Sequence, residues 1–133
     1  MASKLDPYLS FKDNARQAME FYKTVFGGKL TIATFKEYHA SEDPSEDNKV
    51  MHASLRIGET SVMASDGRCT GKPNFQGFSL SLTVANEAEA DRLFAALADG
   101  GQVQVPLAKT FFSPRFGMVT DRFGVLWMIL VES

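Results

Sequence analysis

One order of local signals occurs twice along the chain. The first half opens with a short strand, Pro7 to Phe11, followed by Asp13 and Asn14 as candidate helix caps. Asn14 and Gln17 have capping-box spacing. Ala15, Ala18, Met19, Tyr22, Val25 and Phe26 recur at helical spacing, and Gly27-Gly28 stops the helix. Leu30 to Tyr38 reads as a second strand. Val50 to Ile57 alternates, with Met51, Ala53, Leu55 and Ile57 on one face and His52, Ser54 and Arg56 on the other. A Gly58-Glu59 hairpin leads into Ser61 to Ser65. The order then restarts: Phe78 to Val84 as a strand, Asn86 and Glu89 as a capping box, and Ala90, Leu93, Phe94 and Leu97 as an apolar stripe. Gly100-Gly101 follows, then strands at Gln102 to Val105, Gly117 to Thr120 and Val125 to Val131. Asn14 maps onto Asn86, Tyr22 onto Phe94, Val25 onto Leu97, and Gly27-Gly28 onto Gly100-Gly101 with one residue of slip.

The expected fold class is therefore α+β, with two tandem βαβββ modules at about residues 5–66 and 77–133. A linker at 67–76 joins them within a single domain of residues 1–133. Two curved sheets of this kind can pair into a half-open barrel around a cavity, where barrels commonly hold ligands. The closing stretch, Thr120-Asp121-Arg122-Phe123-Gly124-Val125, reads as a tight turn into a strand. Its seven unbroken apolar residues, Val125 to Val131, predict a strand buried on both faces that carries the only Trp.

Composition excludes several classes. The net charge is -2, with 14 Lys and Arg against 16 Asp and Glu, so no basic face for nucleic acid is expected. No apolar run reaches membrane-spanning length, and Met1 to Lys12 lacks the apolar core of a signal peptide. The single cysteine, Cys69, excludes an internal disulfide and fits a reducing cytoplasm. Eleven of the fifteen aromatic residues are Phe, several of them in expected loops.

The sequence resembles the vicinal oxygen chelate superfamily (glyoxalase, bleomycin-resistance and dioxygenase proteins), and within it the PhnB-like branch. The resemblance is carried by Pro7-Tyr8-Leu9-Ser10-Phe11, Asn14-Ala15, Phe21-Tyr22, Val25-Phe26-Gly27-Gly28, His52-Ala53 and Ser65-Asp66. It continues through Phe75-Gln76-Gly77-Phe78, Val119 to Val125 and Trp127-Met128-Ile129. It implies paired βαβββ modules and, usually, a homodimer. It also implies four metal-ligand places: around Asp6 to Tyr8, within Val62 to Ser65, at Ser79 and at Met128. Three of these four offer no strong ligand. A two-His, one-carboxylate iron site would have to use both histidines, His39 and His52, and His39 lies in the acidic loop at Glu37 to Lys49. The expectation is no metal and no cofactor. Close relatives in the branch carry a His in the loop before the Phe-Gly of the seventh strand; here Phe111-Phe112-Ser113-Pro114-Arg115 stands in its place.

The candidate catalytic residues are His52, Asp66 and Asp121. His52 can titrate near neutrality and move protons. Asp66 and Asp121 each sit where a strand meets a turn, as a base or, more commonly, as a partner for backbone N–H groups. The candidate ligand-binding residues are Tyr8, Arg56, Phe75, Phe78, Ser79, Phe112, Phe116, Trp127 and Met128, an aromatic set with a few polar groups. Arg115 and Arg122 are candidate anion clamps. Gly67 to Pro73 resembles a P-loop but has the wrong glycine spacing, and Asp43 to Asp47 lacks the Gly and distal Glu of an EF-hand. Cys69 beside Arg68 and Lys72 is a candidate low-pKa thiol. No glycine-rich cofactor loop of the doubly wound type supports methyl transfer. The expectation is a small-molecule binder; the alternative is a metal-dependent lyase, isomerase or dioxygenase with a rearranged ligand set.

Overall fold

Each half of the chain folds as strand, helix and three strands. The structure, a computed structural model, describes residues 2–39, 41, 43–67 and 71–132. The first module holds β1 (Tyr8–Ser10), α1 (Ala15–Phe26), β2 (Leu30–Thr34), β3 (Val50–Ile57) and β4 (Thr60–Ser65). The second holds β5 (Leu80–Val84), α2 (Glu87–Ala98), β6 (Gln102–Ala108), β7 (Phe116–Thr120) and β8 (Leu126–Val131). Strand order is β1-β4-β3-β2 in one sheet and β5-β8-β7-β6 in the other. In each sheet the first and last strands pair in parallel and the other neighbours are antiparallel. The chain divides into two compact units, one ending at Pro73 and the other starting at Asn74.

Each helix covers one face of its own sheet. Ala15, Ala18, Met19, Tyr22 and Val25 are buried, against Leu9, Ala53, Leu55, Val62 and Ala64 of the first sheet. Ala90, Leu93, Phe94 and Leu97 do the same for the second, whose buried residues include Val119, Trp127, Ile129 and Val131. Each fully buried large side chain contributes roughly 1.5–3 kcal/mol relative to exposure, so these stripes fix the helices to their sheets. The second glycine of each Gly-Gly pair is needed for close approach. A Cβ on Gly28 would overlap Arg56 O, and a Cβ on Gly101 would overlap Thr120 O. The two halves thus meet the same steric demand at the same place.

Several local expectations change. The Asn86 side chain accepts from Glu89 N at 2.9 Å, but Glu89 does not reach back; it pairs with Arg92. Asn14 occupies the N-cap of α1 without a side-chain cap bond. β8 is not buried on both faces: Trp127, Ile129 and Val131 are buried, whereas Leu126, Met128 and Leu130 are half-buried. β2 stops at Thr34, where the Glu37 carboxylate takes up Thr34 N and Oγ1 and turns the chain. β6 continues through Pro106, which an edge strand tolerates because one side of it needs no donor. β3 carries a bulge: Ala33 pairs with His52 but Thr34 pairs with Val50, leaving Met51 as the extra residue. Val50 is therefore fully buried although it shares parity with His52 on the opposite face.

Candidate functional site

The face of each sheet away from its helix follows from the register. In the first module it carries Tyr8 and Ser10 from β1, Ser61, Met63 and Ser65 from β4, His52, Ser54 and Arg56 from β3, and Thr31 and Ala33 from β2. On this polar face Tyr8 Oη and His52 Nδ1 lie 3.1 Å apart, and the two rings stand 5.7 Å apart at 41°. Tyr8 is on β1 and His52 on β3, so the pair meets across the intervening β4. Tyr8 is 45% exposed and His52 is half-buried, so a solute can reach them. Among the described residues His52 makes its side-chain hydrogen bond at Nδ1 alone, so Nε2 is available.

That bond has two proton arrangements. If the Tyr8 hydroxyl donates to Nδ1, the neutral ring carries its proton on Nε2 and presents a donor. If Nδ1–H donates to the Tyr8 oxygen, Nε2 presents a lone pair. The pair can therefore offer a ligand either a donor or an acceptor.

The two buried carboxylates sit in different surroundings. Asp66 Oδ1 accepts from Ala15 N at 3.0 Å and Oδ2 from Val50 N at 2.9 Å. It thereby caps α1 from 51 positions away, which accounts for Asn14 having no capping bond, and puts negative charge at the positive end of the helix. Asp121 Oδ1 accepts from Phe123 N at 2.8 Å and Val125 N at 3.1 Å, while Oδ2 accepts from Trp127 Nε1 at 2.8 Å. Both carboxylates organise backbone.

The other expected site residues are distributed as follows. Trp127 lies on the helix side of β8, 2% exposed, whereas its neighbour Met128 lies on the open face. Arg56 turns back to Gly58 O at 2.9 Å. Ser79 precedes β5, and the residue beside Met128 is Ser81. Phe75 lies by Gly124 of the turn, and Phe78 is exposed. Phe112 and Phe116 meet edge to face at 5.0 Å, and Phe111 adds a third ring at 5.1 Å from Phe112. The open face of the second module carries Phe116 and Met118 from β7, Met128 and Leu130 from β8, Val105 from β6, and the hydroxyls of Ser81 and Thr83 from β5. Arg115 pairs with Asp91 at 2.8 Å, and Arg122 donates to Asp99 O at the end of α2, so both serve that helix. Ser113, which had no signal in the sequence, is 2% exposed, and its Oγ lies 2.6 Å from Val131 O and 2.7 Å from Arg115 O. The Cys69 and Arg68 thiol site falls outside the described residues.

At the metal places that the resemblance implies, the donors are weak or already engaged. Asp6 is held by Ser61 N and Lys4, which keep its carboxyl below the ordinary 3.8, the Ser61 bond acting most strongly. Tyr8 is bonded to His52, and Met63 and Met128 offer only thioethers, which suit soft ions. Among the described residues no group of three His, Cys, Asp or Glu comes together.

A family model described as 3-demethylubiquinone-9 3-methyltransferase matches residues 3–130. The chain belongs to this family. It is 36% identical over 138 residues to Protein YjdN of Escherichia coli K12, covering 96% of this chain and 94% of that protein. The crystal structure of protein PA1353 from Pseudomonas aeruginosa matches with a TM-score of 0.84 and 43% identity over 98% of each chain. The PhnB protein from Bacillus cereus matches with a TM-score of 0.78 and 28% identity, covering 97% of this chain and 99% of that one. A glyoxylase/bleomycin resistance protein/dioxygenase domain from Frankia, 16% identical with a TM-score of 0.70 and covering 100% of this chain and 93% of that one, shares the fold. The protein is thus PhnB-like, with the α+β glyoxalase/bleomycin-resistance fold. No helix among the described residues is long and apolar enough to cross a membrane.

Proposed function

We propose that this PhnB-like protein binds a small organic molecule on the open face of its first module, without a resident metal. Tyr8 and His52 supply the polar recognition. The hydrogen bond between them is the observation that carries this reading, because it leaves one imidazole nitrogen free on a reachable face. Ser54 and Thr31, neighbours in register on the same face, add hydroxyls. The second module is a separate proposal: Phe112, Phe116 and Met128 there offer an apolar surface of their own to a ligand. A homodimer in the cytoplasm belongs to the same proposal, on the strength of the family resemblance and the single cysteine. Binding is favoured over catalysis because Asp66 and Asp121 are committed to backbone N–H groups.

Trp127 is a poor reporter of occupancy, since it is buried in the helix-side core. The test is a small-molecule screen read by amide and histidine-ring NMR shifts, repeated with Tyr8→Phe and His52→Ala. Hits should perturb β1, β3 and β4, and His52→Ala should weaken them about tenfold, the scale of one hydrogen bond of roughly 1.4 kcal/mol. Hits that ignore both substitutions would sink this reading. Binding that appears only on adding a divalent metal would favour the metal-dependent enzyme. Methyl transfer with a methyl donor supplied would show that binding alone is too narrow.

A further inference from the structure

From the way its carboxylate ties three elements together, we infer that Asp66 is a positioning residue for the Tyr8–His52 pair. The inference rests on the site reading above. The pair is built on strands that are not neighbours, so its distance depends on how β1 and β3 are held about β4. Asp66 closes β4 and is 8% exposed. Its Oδ1 holds Ala15 N, the first residue of α1, which follows the strand bearing Tyr8. Its Oδ2 holds Val50 N, and its own N–H donates to Val50 O at 2.8 Å. Val50 is the first residue of β3, and the Met51 bulge separates it from His52.

The bulge makes this tie matter for the site. Val50 and His52 would share a face in a regular strand; the bulge sends Val50 into the core and keeps His52 on the open face. A bulge leaves backbone groups without ladder partners, and Asp66 supplies an acceptor on its Val50 side. One buried carboxylate therefore fixes both the start of the His52 strand and the segment that follows the Tyr8 strand. Among the described residues Asp66 bonds to Ala15 and Val50 and to neither ring of the pair, so it acts through the backbone.

Asp66→Asn tests this at constant size. Asparagine offers one acceptor oxygen, so one of the two N–H groups would face an N–H donor instead. The readout is the His52 ring nitrogen shifts, measured well below the melting temperature, in the wild type, Tyr8→Phe, Asp66→Asn and Asp66→Glu. Tyr8→Phe defines the shift change caused by losing the pair. Asp66→Asn should reproduce most of that change, and Asp66→Glu, which keeps two acceptor oxygens, should restore the wild-type shifts at least in part. A wild-type His52 signature in a folded but less stable Asp66→Asn protein would overturn the inference and leave Asp66 a helix cap alone. If Asp66→Asn does not fold, the wild type is warmed instead. Loss of the His52 signature together with Val50 amide protection supports the tie; a signature that outlasts that protection overturns it. Identical His52 shifts in the wild type and Tyr8→Phe would instead refute the Tyr8–His52 site reading itself.

Discussion

Replacing Asp121 should be among the most damaging single changes in the chain. Its carboxylate takes N–H groups from Phe123, Val125 and Trp127, and its backbone adds Asp121 N to Val125 O at 2.9 Å and Gly124 N to Asp121 O at 3.0 Å. The Asp121→Ala change removes the side-chain acceptor from all three N–H groups. Two of the bonds, to Val125 and to the indole, are buried, while that to Phe123 is partly buried and can turn to water. Losing the acceptor of a buried donor costs roughly 1–3 kcal/mol, so the two buried ones together cost about 2–6 kcal/mol. Removing a buried charge returns part of its desolvation cost and favours the lower half of that range. With a urea m-value of about 2 kcal/mol/M, a loss near 3 kcal/mol lowers the unfolding midpoint by roughly 1.5 M.

A double-mutant cycle isolates the indole bond. In Asp121→Asn the amide oxygen can serve Phe123 and Val125, but the amide nitrogen then confronts Trp127 Nε1–H. Trp127→Phe removes that N–H, so the pair of changes should cost less than the sum of the singles by about 1–3 kcal/mol. Unfolding is followed by circular dichroism, because Trp127 is the only Trp. Strict additivity, or a midpoint shift below about 0.5 M for Asp121→Ala, would refute the assignment of Asp121 as the organiser of this turn.

The two kinds of glycine at the helix ends should separate by thermal denaturation. Gly101→Ala meets the Thr120 backbone and should cost roughly 3 kcal/mol or more, whereas Gly27→Ala, at φ 76 in open space, should cost about 1–2 kcal/mol; the reverse order would contradict the register. Lys49 bonds Asp13 at 2.8 Å and Glu46 at 3.0 Å; the Asp13 bond, foremost, holds the Asp13 carboxyl below 3.8 and raises the Lys49 ammonium above 10.5. A depressed carboxyl stabilises above its ordinary value and loses that contribution as pH falls through its folded value, and a raised ammonium loses its own above 10.5. The melting-temperature penalty of Lys49→Met should therefore be largest between those limits and vanish in acid; a penalty unchanged in acid would refute the ion pairs as its source. Ser113→Ala should cost about 1–3 kcal/mol in urea unfolding because its buried hydroxyl serves Val131 and Arg115, while Phe111→Ser, at a fully exposed ring, should stay within roughly 0.5 kcal/mol.

What the sequence revealed depended on how local the cause was. Helices show themselves through their own stripes, so Ala18, Tyr22, Leu93 and Leu97 could be assigned to the core from spacing alone. Asn86 capped α2 as its position suggested, because an N-cap bond is made three residues away. Asn14 did not, because a carboxylate 51 positions distant took the role. No local pattern signals such a partner. Strand faces were legible only while alternation held. Alternation puts Met51 on the Ala53 face, but the bulge makes it the extra residue and sends Val50 inward. An unbroken apolar run gives no reason to separate Trp127 from Met128, but the structure sets these adjacent residues on opposite faces, the indole being held inside by Asp121. Tyr8 and His52 are each visible in the sequence as candidates, but their pairing needs the β1-β4-β3 order, which no stretch of the chain encodes by itself.

The repeat itself shows where the two modules diverged. Ala53 pairs with Ala64 as Gly117 pairs with Ile129, and Leu55 with Val62 as Val119 with Trp127. On this register Arg56 corresponds to Thr120, and these are the two carbonyls that exclude a Cβ from Gly28 and Gly101, a check independent of strand pairing. The same register sets His52 against Phe116. It sets Tyr8, beside Met63, against Ser81, beside Met128. The core-facing positions kept their apolar character in both halves, as packing against a helix requires. The open-face positions did not: the first module has a hydrogen-bonded Tyr–His pair where the second has Ser and Phe. Packing against the helices acts on the core-facing positions and does not dictate that difference. A selective demand on the first module's open face can, and this is why the Tyr8–His52 pair, rather than the buried Asp66 or Asp121, is the place to look for a ligand.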